Sequence, residues 1–326
     1  MEFNQTVIAE LARVNRAAVS RFVASHNIPT TSVGRKAKKY NVENTRTILQ
    51  ALSPFSGKEV LQKVQVFYNF KGGTGKTSLC YQVATHMALM GYNVLAIDLD
   101  PQGHLSTTMM GDDTINLPTM YDVLVDQRPI EETILPVFEG LELIPGNLAL
   151  TRLEVPLSQK TKREEALKRV IAPLVNNYDF IMIDTNPTIS TLNMNALVAA
   201  DHVNVVCETQ PLSLSGLGLL EEELQDFAND MGTPLAYHII ANKYESKTAS
   251  AQEVLGALRS DYKEHMFQSV IRKSEDVNVS SKTRLPVCAF ASKRSLAFED
   301  IIDLLHEILA KSTVDAQDLL GHPVVA

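Results

Sequence analysis

The heptapeptide KGGTGKT, Lys71 to Thr77, restricts this chain more than any other feature. It follows an apolar and aromatic run of strand length, VQVFYNF (Val64 to Phe70). It precedes SLCYQVATHMALM (Ser78 to Met90), whose Leu79, Val83, Met87 and Met90 share one helical stripe. A glycine-rich loop between a strand and a helix is the setting a phosphate cradle needs. Gly72, Gly73 and Gly75 let backbone N–H groups turn inward around phosphate oxygens, and Thr74 and Ser78 complete the loop. Lys76 supplies a point charge for β- and γ-phosphates, and Thr77 a hydroxyl for Mg²⁺. The helix N-terminus adds its partial positive charge. The plain alternative is a tight turn without a ligand, and the strand and helix flanks with both lysines weigh against it.

The loop departs from G-x-x-x-x-G-K-[ST] at its start, where Phe70 stands at the first glycine position and Lys71 follows it. In this it resembles the deviant Walker A proteins. That resemblance implies that Lys71 acts in trans, reaching across a dimer to the partner's nucleotide.

With 326 residues, 45% of them hydrophobic, the chain can bury a substantial core. The expected division is a small unit over residues 1–57 and a large one over 58–326. No run of 18 apolar residues is present, so no membrane span is expected. The start, MEFNQTVIAE, lacks the basic and apolar regions of a signal peptide. Cys80, Cys207 and Cys288 are odd in number and far apart, which suits reduced buried thiols in a cytoplasmic protein.

The net charge of −8 conceals an asymmetry, because residues 1–63 carry +6 and the remainder −14. A basic head on an acidic body suggests contact with nucleic acid, or simply a solvated basic surface. TVIAELARVNRAAVSRFVASHN (Thr6 to Asn27) places Ala9, Val14 and Val19 at the small and apolar positions of a helix-turn-helix. The second helix would begin near Arg16 and present Arg16, Ala17, Ser20 and Arg21 to a major groove. Arg13 occupies the turn position that is often glycine. The next stretch resembles a winged or MerR-like unit. There Arg35, Lys36, Lys38 and Lys39 suit phosphate contacts, and a helix after Asn41 closes the unit. A helical pair used only for dimer packing is the alternative. SPFSG (Ser53 to Gly57) reads as a linker.

The body alternates strands and helices. Strands are expected over Val64–Tyr68, Asn93–Ile97, Leu141–Ile144, Phe180–Ile183, Val203–Val206 and Tyr237–Ala241, mostly as continuous apolar runs suited to burial on both faces. Helical patterns cover 78–90, 162–175, 215–230 and 248–260. The expectation is an α/β fold with a doubly wound, mostly parallel sheet and ligands at the carboxyl ends of strands, preceded by the small helical head. The second strand runs into AIDLDPQGHLS (Ala96 to Ser106), whose paired carboxylates beside the loop suit handling of Mg²⁺ and water.

KGGTGKT, then DLDPQG, then YDFIMIDTNPTIS (Tyr178 to Ser190) is the motif order of the ParA partition ATPases, relatives of MinD and the nitrogenase iron protein. The resemblance runs from about Val64 to about Leu309 and includes CETQPLSLSGLGLL, ANKYE and SVIRKSEDV. The large partition subtype also carries an N-terminal helix-turn-helix. The resemblance implies that Lys71 is the signature lysine, Lys76 the loop lysine and Thr77 a Mg²⁺ ligand. It implies that Asp100 orients the attacking water, Asp98 supports the metal, and Asp184 holds a Mg²⁺-bound water. Pro211 and Asn242 correspond to adenine contacts. His104 and Asn186 (IDTNP) depart from the family pattern, which expects Asn and Pro there.

What the resemblance implies further is a weak Mg²⁺-dependent ATPase that forms an ATP-dependent sandwich homodimer. The dimer would bind DNA without sequence preference, associate with the nucleoid, and answer to a ParB-like centromere-binding partner. Arg272, Lys273, Lys282 and Arg284 are candidates for the DNA surface, or else a scattered solvated face. IIDLLHEILAK carries Asp303 and Glu307 on its polar face and reads as a core-packing helix rather than a membrane anchor. Three readings stay open: a DNA-segregation ATPase that represses its own operon through the head, a related ATPase that positions another cargo, and a regulator whose nucleotide tunes DNA binding.

Overall fold

The computed structural model describes residues 1–31, 38–114, 116–232, 235–291 and 295–315. The head comprises β1 (Phe3–Asn4), α1 (Gln5–Leu11), α2 (Arg16–Ser25), β2 (Lys39–Tyr40) and α3 (Val42–Leu52), with β1 and β2 paired antiparallel. Each helix begins on an asparagine whose side chain accepts a backbone N–H of the first turn: Asn4 from Thr6 and Val7, Asn15 from Ala18, Asn41 from Asn44. The turn between α1 and α2 puts Arg13 at φ 51°. This is the left-handed region that glycine enters freely and other residues at a cost of roughly 1–2 kcal/mol. Arg13 is held there by an ion pair to Asp303. Ala9 and Val19 are buried between the helices, as their spacing suggests.

The body follows as β3 (Glu59–Val60), β4 (Val64–Tyr68), α4 (Lys76–Leu89), β5 (Val94–Asp98), α5 (His104–Met110), α6 (Met120–Leu124), β6 (Leu135–Phe138), β7 (Leu141–Ile144), α7 (Glu154–Ser158), α8 (Ala166–Ile171), β8 (Phe180–Asp184), α9 (Thr191–Ala199), β9 (His202–Glu208), α10 (Pro211–Met231), β10 (Tyr237–Tyr244), α11 (Ala249–Asp261), β11 (Met266–Arg272), α12 (Glu275–Thr283), α13 (Val287–Phe290), α14 (Leu296–Ser312) and β12 (Thr313–Val314). Eight strands form one sheet in the order β11-β10-β9-β4-β8-β5-β7-β6, parallel except for β6. β4 lies centrally, with Val66 in register with Val203 on one side and Ile183 on the other. Its alternate side chains feed two apolar cores, Phe67 on one face and Val64, Val66 and Tyr68 on the other.

All six expected strands are present. The two edge strands, β6 and β11, escaped the sequence because neither is a continuous apolar run: Pro136 interrupts one, and Gln268 and Ser269 the other. The helix expected over 162–175 is a short α8 flanked by 3₁₀ turns, broken where Pro173 lacks an N–H. α14 packs as a core helix, with Ile301, Leu304, Leu305, Ile308 and Leu309 buried.

Residues 53–57 are not a free linker. Ser53 is buried, Phe55 packs edge-on against His306, and the His306 Nε2 lies 2.8 Å from the Leu11 carbonyl oxygen. One core contains Ile8, Leu11 and Leu49 of the head together with Leu79, Met87 and Leu305 of the body. Arg46 of α3 reaches the end of α4, where its guanidinium donates to the Ala88 carbonyl, to Tyr92 O at 3.0 Å and to Gly91 O at 3.4 Å. These carbonyls lie in the last turn of α4 and the residues just after it, where a helix leaves acceptors open to side-chain donors. Arg46→Met is therefore expected to cost about 1–3 kcal/mol in urea unfolding. No change in the midpoint would mean that the contact contributes nothing.

Burial pushes His86 down to about 4 and His202 down to about 3, the latter helped by His238 and Lys311. The unfolded histidines take up protons from about pH 6.5. The stability that these two buried histidines contribute is thus lost as pH falls through that value toward 4, against the buried carboxyls Asp98 and Asp184, which act in the opposite sense. Between pH 7 and pH 5 the urea midpoint should therefore drop less in His86→Gln than in wild type.

Candidate nucleotide site

The loop is fixed from its first residue. The Asn69 Oδ1 accepts the Lys71 N–H at 2.8 Å, while its Nδ2 donates to Val206 O at 2.9 Å. Gly73 and Gly75 take φ values of 78° and 96°. A Cβ on Gly75 would lie 2.3 Å from the Asn242 Nδ2. Three side chains hold loop carbonyls by hydrogen bonds. Lys76 Nζ donates to Lys71 O at 3.3 Å, Asn242 Nδ2 to Thr74 O at 2.7 Å, and Lys243 Nζ to Gly73 O. Their complement is a set of N–H groups free to meet an anion at the start of α4.

The loop opens on a cleft of about 1200 Å³ at the carboxyl ends of the strands. Gly73, Gly75, Lys76, Thr77, Ser78, Asp100, Pro211 and Asn242 line it, as do His104, Glu208 and Lys243. Asn242 is thus brought to the site, but its amide is engaged with the loop. Pro211 is the first residue of α10, with exposed Leu212 beside it.

The three carboxylates have different roles. Asp98 and Asp184 end adjacent strands in register. Asp98 is saturated, accepting Asp100 N at 3.0 Å, Ser106 N at 2.8 Å and Ser106 Oγ at 2.6 Å. Burial raises its carboxyl to about 6 against those donors. Asp98 does not line the cleft; its hydrogen bonds fix the turn that carries Asp100. Asp184 is fully buried, and among the described residues its carboxyl meets no donor beyond the Thr77 hydroxyl. Burial, with Asp98 close by, raises its carboxyl well above the usual range, while Thr77 and Lys76 ease its charge. A buried carboxylate with so few donors costs free energy that a bound cation would offset. Among the described residues no group of three or more His, Cys, Asp or Glu could hold a metal. The Thr77 hydroxyl and the Asp184 carboxylate nevertheless fit Mg²⁺ whose remaining ligands are phosphate and water. Asp100 is nearly buried yet faces the cleft, its Oδ1 accepting Gln102 N at 2.8 Å. Burial lowers the Lys76 ammonium, and Asp184 and Asp100 pull it back.

Lys71 lies beside this cradle rather than in it. Its Nζ is 3.1 Å from Ser213 Oγ and 3.6 Å from a Glu208 carboxylate oxygen. Asn186 is tied to α9, because Asn193 Nδ2 donates to its carbonyl at 3.0 Å and its Oδ1 at 2.8 Å. Lys243, Glu208 and Asn193 escaped the sequence reading. ANKYE and CETQP flagged the first two segments, but nothing in them marks which side chain turns toward the loop.

Of the residues expected to touch DNA, Arg16, Ser20 and Arg21 are exposed on α2, with Ser20 Oγ also bonded to Gln5. Arg35 and Lys36 lie outside the described residues. On the body, Arg272 is locked to Asp300 and Glu299, Lys273 to Glu245 and Arg284 to Asp112. Lys282 is exposed. Three of the four basic side chains of the expected strip are therefore ion-paired within the chain. The acids that pair with them lie 27 or more residues away in the sequence, where spacing could not show them.

A phosphate cradle between β4 and α4, beside carboxylates from two neighbouring strands, defines a P-loop nucleotide-binding α/β protein. Residues 62–236 match the AAA domain family model AAA_31. The cell division protein PomZ of Myxococcus xanthus is 34% identical over 252 residues, covering 76% of this chain and 78% of that one. The chromosome-partitioning ATPase Soj of Treponema pallidum is 30% identical over 231 residues, covering 70% and 90%. A plasmid partition protein of Borrelia burgdorferi bound to AMPPNP shares the fold, with a TM-score of 0.65 at 23% identity over 77% of this chain and 99% of that one. The chain belongs to the ParA family of partition ATPases.

Proposed function

We propose that this chain is a Mg²⁺-dependent DNA-segregation ATPase. It closes on ATP as a homodimer, grips DNA in that state, and is released by hydrolysis that a ParB-like partner stimulates. The observation that carries this reading is the position of Lys71 beside its own cradle, held by Ser213 and Glu208 rather than turned into the loop. Leu148 and Val155 are each 66% exposed, Ile189 58% and Leu212 81%. All four lie in segments that follow the parallel strands β7, β8 and β9 in the chain, and Leu212 lines the cleft itself. Such exposed side chains suit a second copy of the chain.

Bound Mg²⁺ would neutralise charge on the nucleotide phosphates. Lys76 and the loop N–H groups hold the phosphates, Thr77 and Asp184 face the cation, and Asp100 orients water. Hydrolysis returns the chain to its open state, a population shift set by different affinities for ATP and ADP. In this reading the protein acts in the cytoplasm, on the nucleoid; among the described residues no helix is long and apolar enough to cross a membrane.

The head reads an operator through Arg16, Ser20 and Arg21, with Arg35 and Lys36 on phosphates. Because it shares a core with the body, point substitutions test it better than truncation. Arg16→Ala and Arg21→Ala should each cost about 1–3 kcal/mol in operator discrimination and leave ATP-dependent binding to random duplex intact. Loss of all DNA binding would favour the nucleotide-tuned regulator instead. The similarity to PomZ favours a second reading, placement of a non-DNA cargo, which predicts no operator binding at all.

A further inference from the structure

We propose that Glu208 is a positioning residue that holds Lys71 in cis until a second subunit presents its nucleotide. This rests on the reading that Lys71 works across a dimer. Glu208 ends β9, next to the strand that carries the loop, and its side chain is only 13% exposed. Its two oxygens face two lysines: one is 3.6 Å from Lys71 Nζ, the other 3.4 Å from Lys243 Nζ. Ser213 Oγ adds a hydrogen bond to Lys71 at 3.1 Å. Lys243 stands at φ 54° and is anchored to the Gly73 carbonyl, so it is a fixed neighbour of the loop.

The arrangement works by competition. In the lone chain Glu208 is the nearest anion to Lys71 and gives it a resting position. A partner's triphosphate carries more negative charge in a drier setting and draws the ammonium away. Lys243 stays and keeps the Glu208 charge compensated after Lys71 leaves. Lys243 thus makes release of Lys71 tolerable, and the carboxylate makes premature release unfavourable.

The test compares steady-state hydrolysis and fluorescent ATP binding in Glu208→Gln, Ser213→Ala, Lys71→Ala and the double variant Glu208→Gln/Lys71→Ala. Gln keeps the shape and removes the charge. Glu208→Gln should raise kcat about threefold without a partner protein and leave the KM for ATP unchanged, because it weakens a pair of the modest strength expected at a half-exposed lysine. Ser213→Ala should act in the same direction, more weakly. The double variant should be as inactive as Lys71→Ala alone, since the effect of Glu208 runs through Lys71. If Glu208→Gln is no faster than wild type while Lys71→Ala is inactive, there is no latch and the trans reading survives. A fall in ATP affinity that persists in the Lys71→Ala background would reduce Glu208 to a support for the loop. Full activity in Lys71→Ala would overturn the trans reading itself.

Discussion

Lys76→Ala is expected to lower ATP affinity by at least about 100-fold, because it leaves buried charge without its partner, a loss of roughly 3–5 kcal/mol. Lys76 is 6% exposed and is the cation that Asp184 and Asp100 act upon. Its ammonium also ties the end of the loop to the beginning through Lys71 O. Removal costs the phosphates a counter-charge, and it leaves Asp184 and Asp100 in a pocket without the cation beside them. That pocket repels ATP without Mg²⁺ as well as with it. Calorimetry should therefore show the loss in both conditions. Thermal unfolding of the unliganded variant separates this from misfolding. Unchanged ATP affinity in a folded Lys76→Ala would remove the nucleotide-site assignment.

Asp100→Ala should bind ATP nearly as well as wild type and hydrolyse it about 100-fold more slowly, the usual minimum for loss of a positioned acid–base group. Asp100 holds no loop carbonyl and no cation. Its one hydrogen bond shapes its own turn, to Gln102 N. Asp98, with three donors of its own, keeps that turn in place. Single-turnover hydrolysis with bound ATP measured separately would isolate the chemical step. Wild-type hydrolysis in Asp100→Ala would pass the role to another group at the cleft, and Glu208 and His104 are the candidates.

The sequence exposed the centre of this fold more clearly than its edges. Buried parallel strands must be apolar on both faces, so β4, β5, β7, β8, β9 and β10 stand out as runs. β6 and β11 sit at the edges, where polar residues are tolerated. The same locality governs the site. Gly73, Gly75, Lys76 and Thr77 act through neighbours in sequence, and spacing places them. Lys243 and Glu208 act through the loop from other strands, 170 residues away in the case of Lys243 and Gly73. The ion pairs of the basic patch were hidden for the same reason. Arg272 and Arg284 look free in the sequence because Asp300 and Asp112 meet them only in the fold. Arg13 shows the reverse: a departure from glycine at the turn is carried by a contact with α14.

The central claim is that a complete site takes Lys71 from one subunit and Asp100 from the other. Mixing Lys71→Ala with Asp100→Ala tests it directly. Lys76 and Asp100 line the same cleft, so they serve one nucleotide. A mixed dimer then contains one intact site, built from the Asp100 of the Lys71→Ala subunit and the Lys71 of its partner. Two inactive proteins should recover about a quarter of the wild-type rate when mixed in equal amounts, because half of the two-fold dimers are mixed and each holds one complete site. No recovery, with mixed dimers shown to form, would mean that Lys71 serves its own nucleotide and would contradict the account.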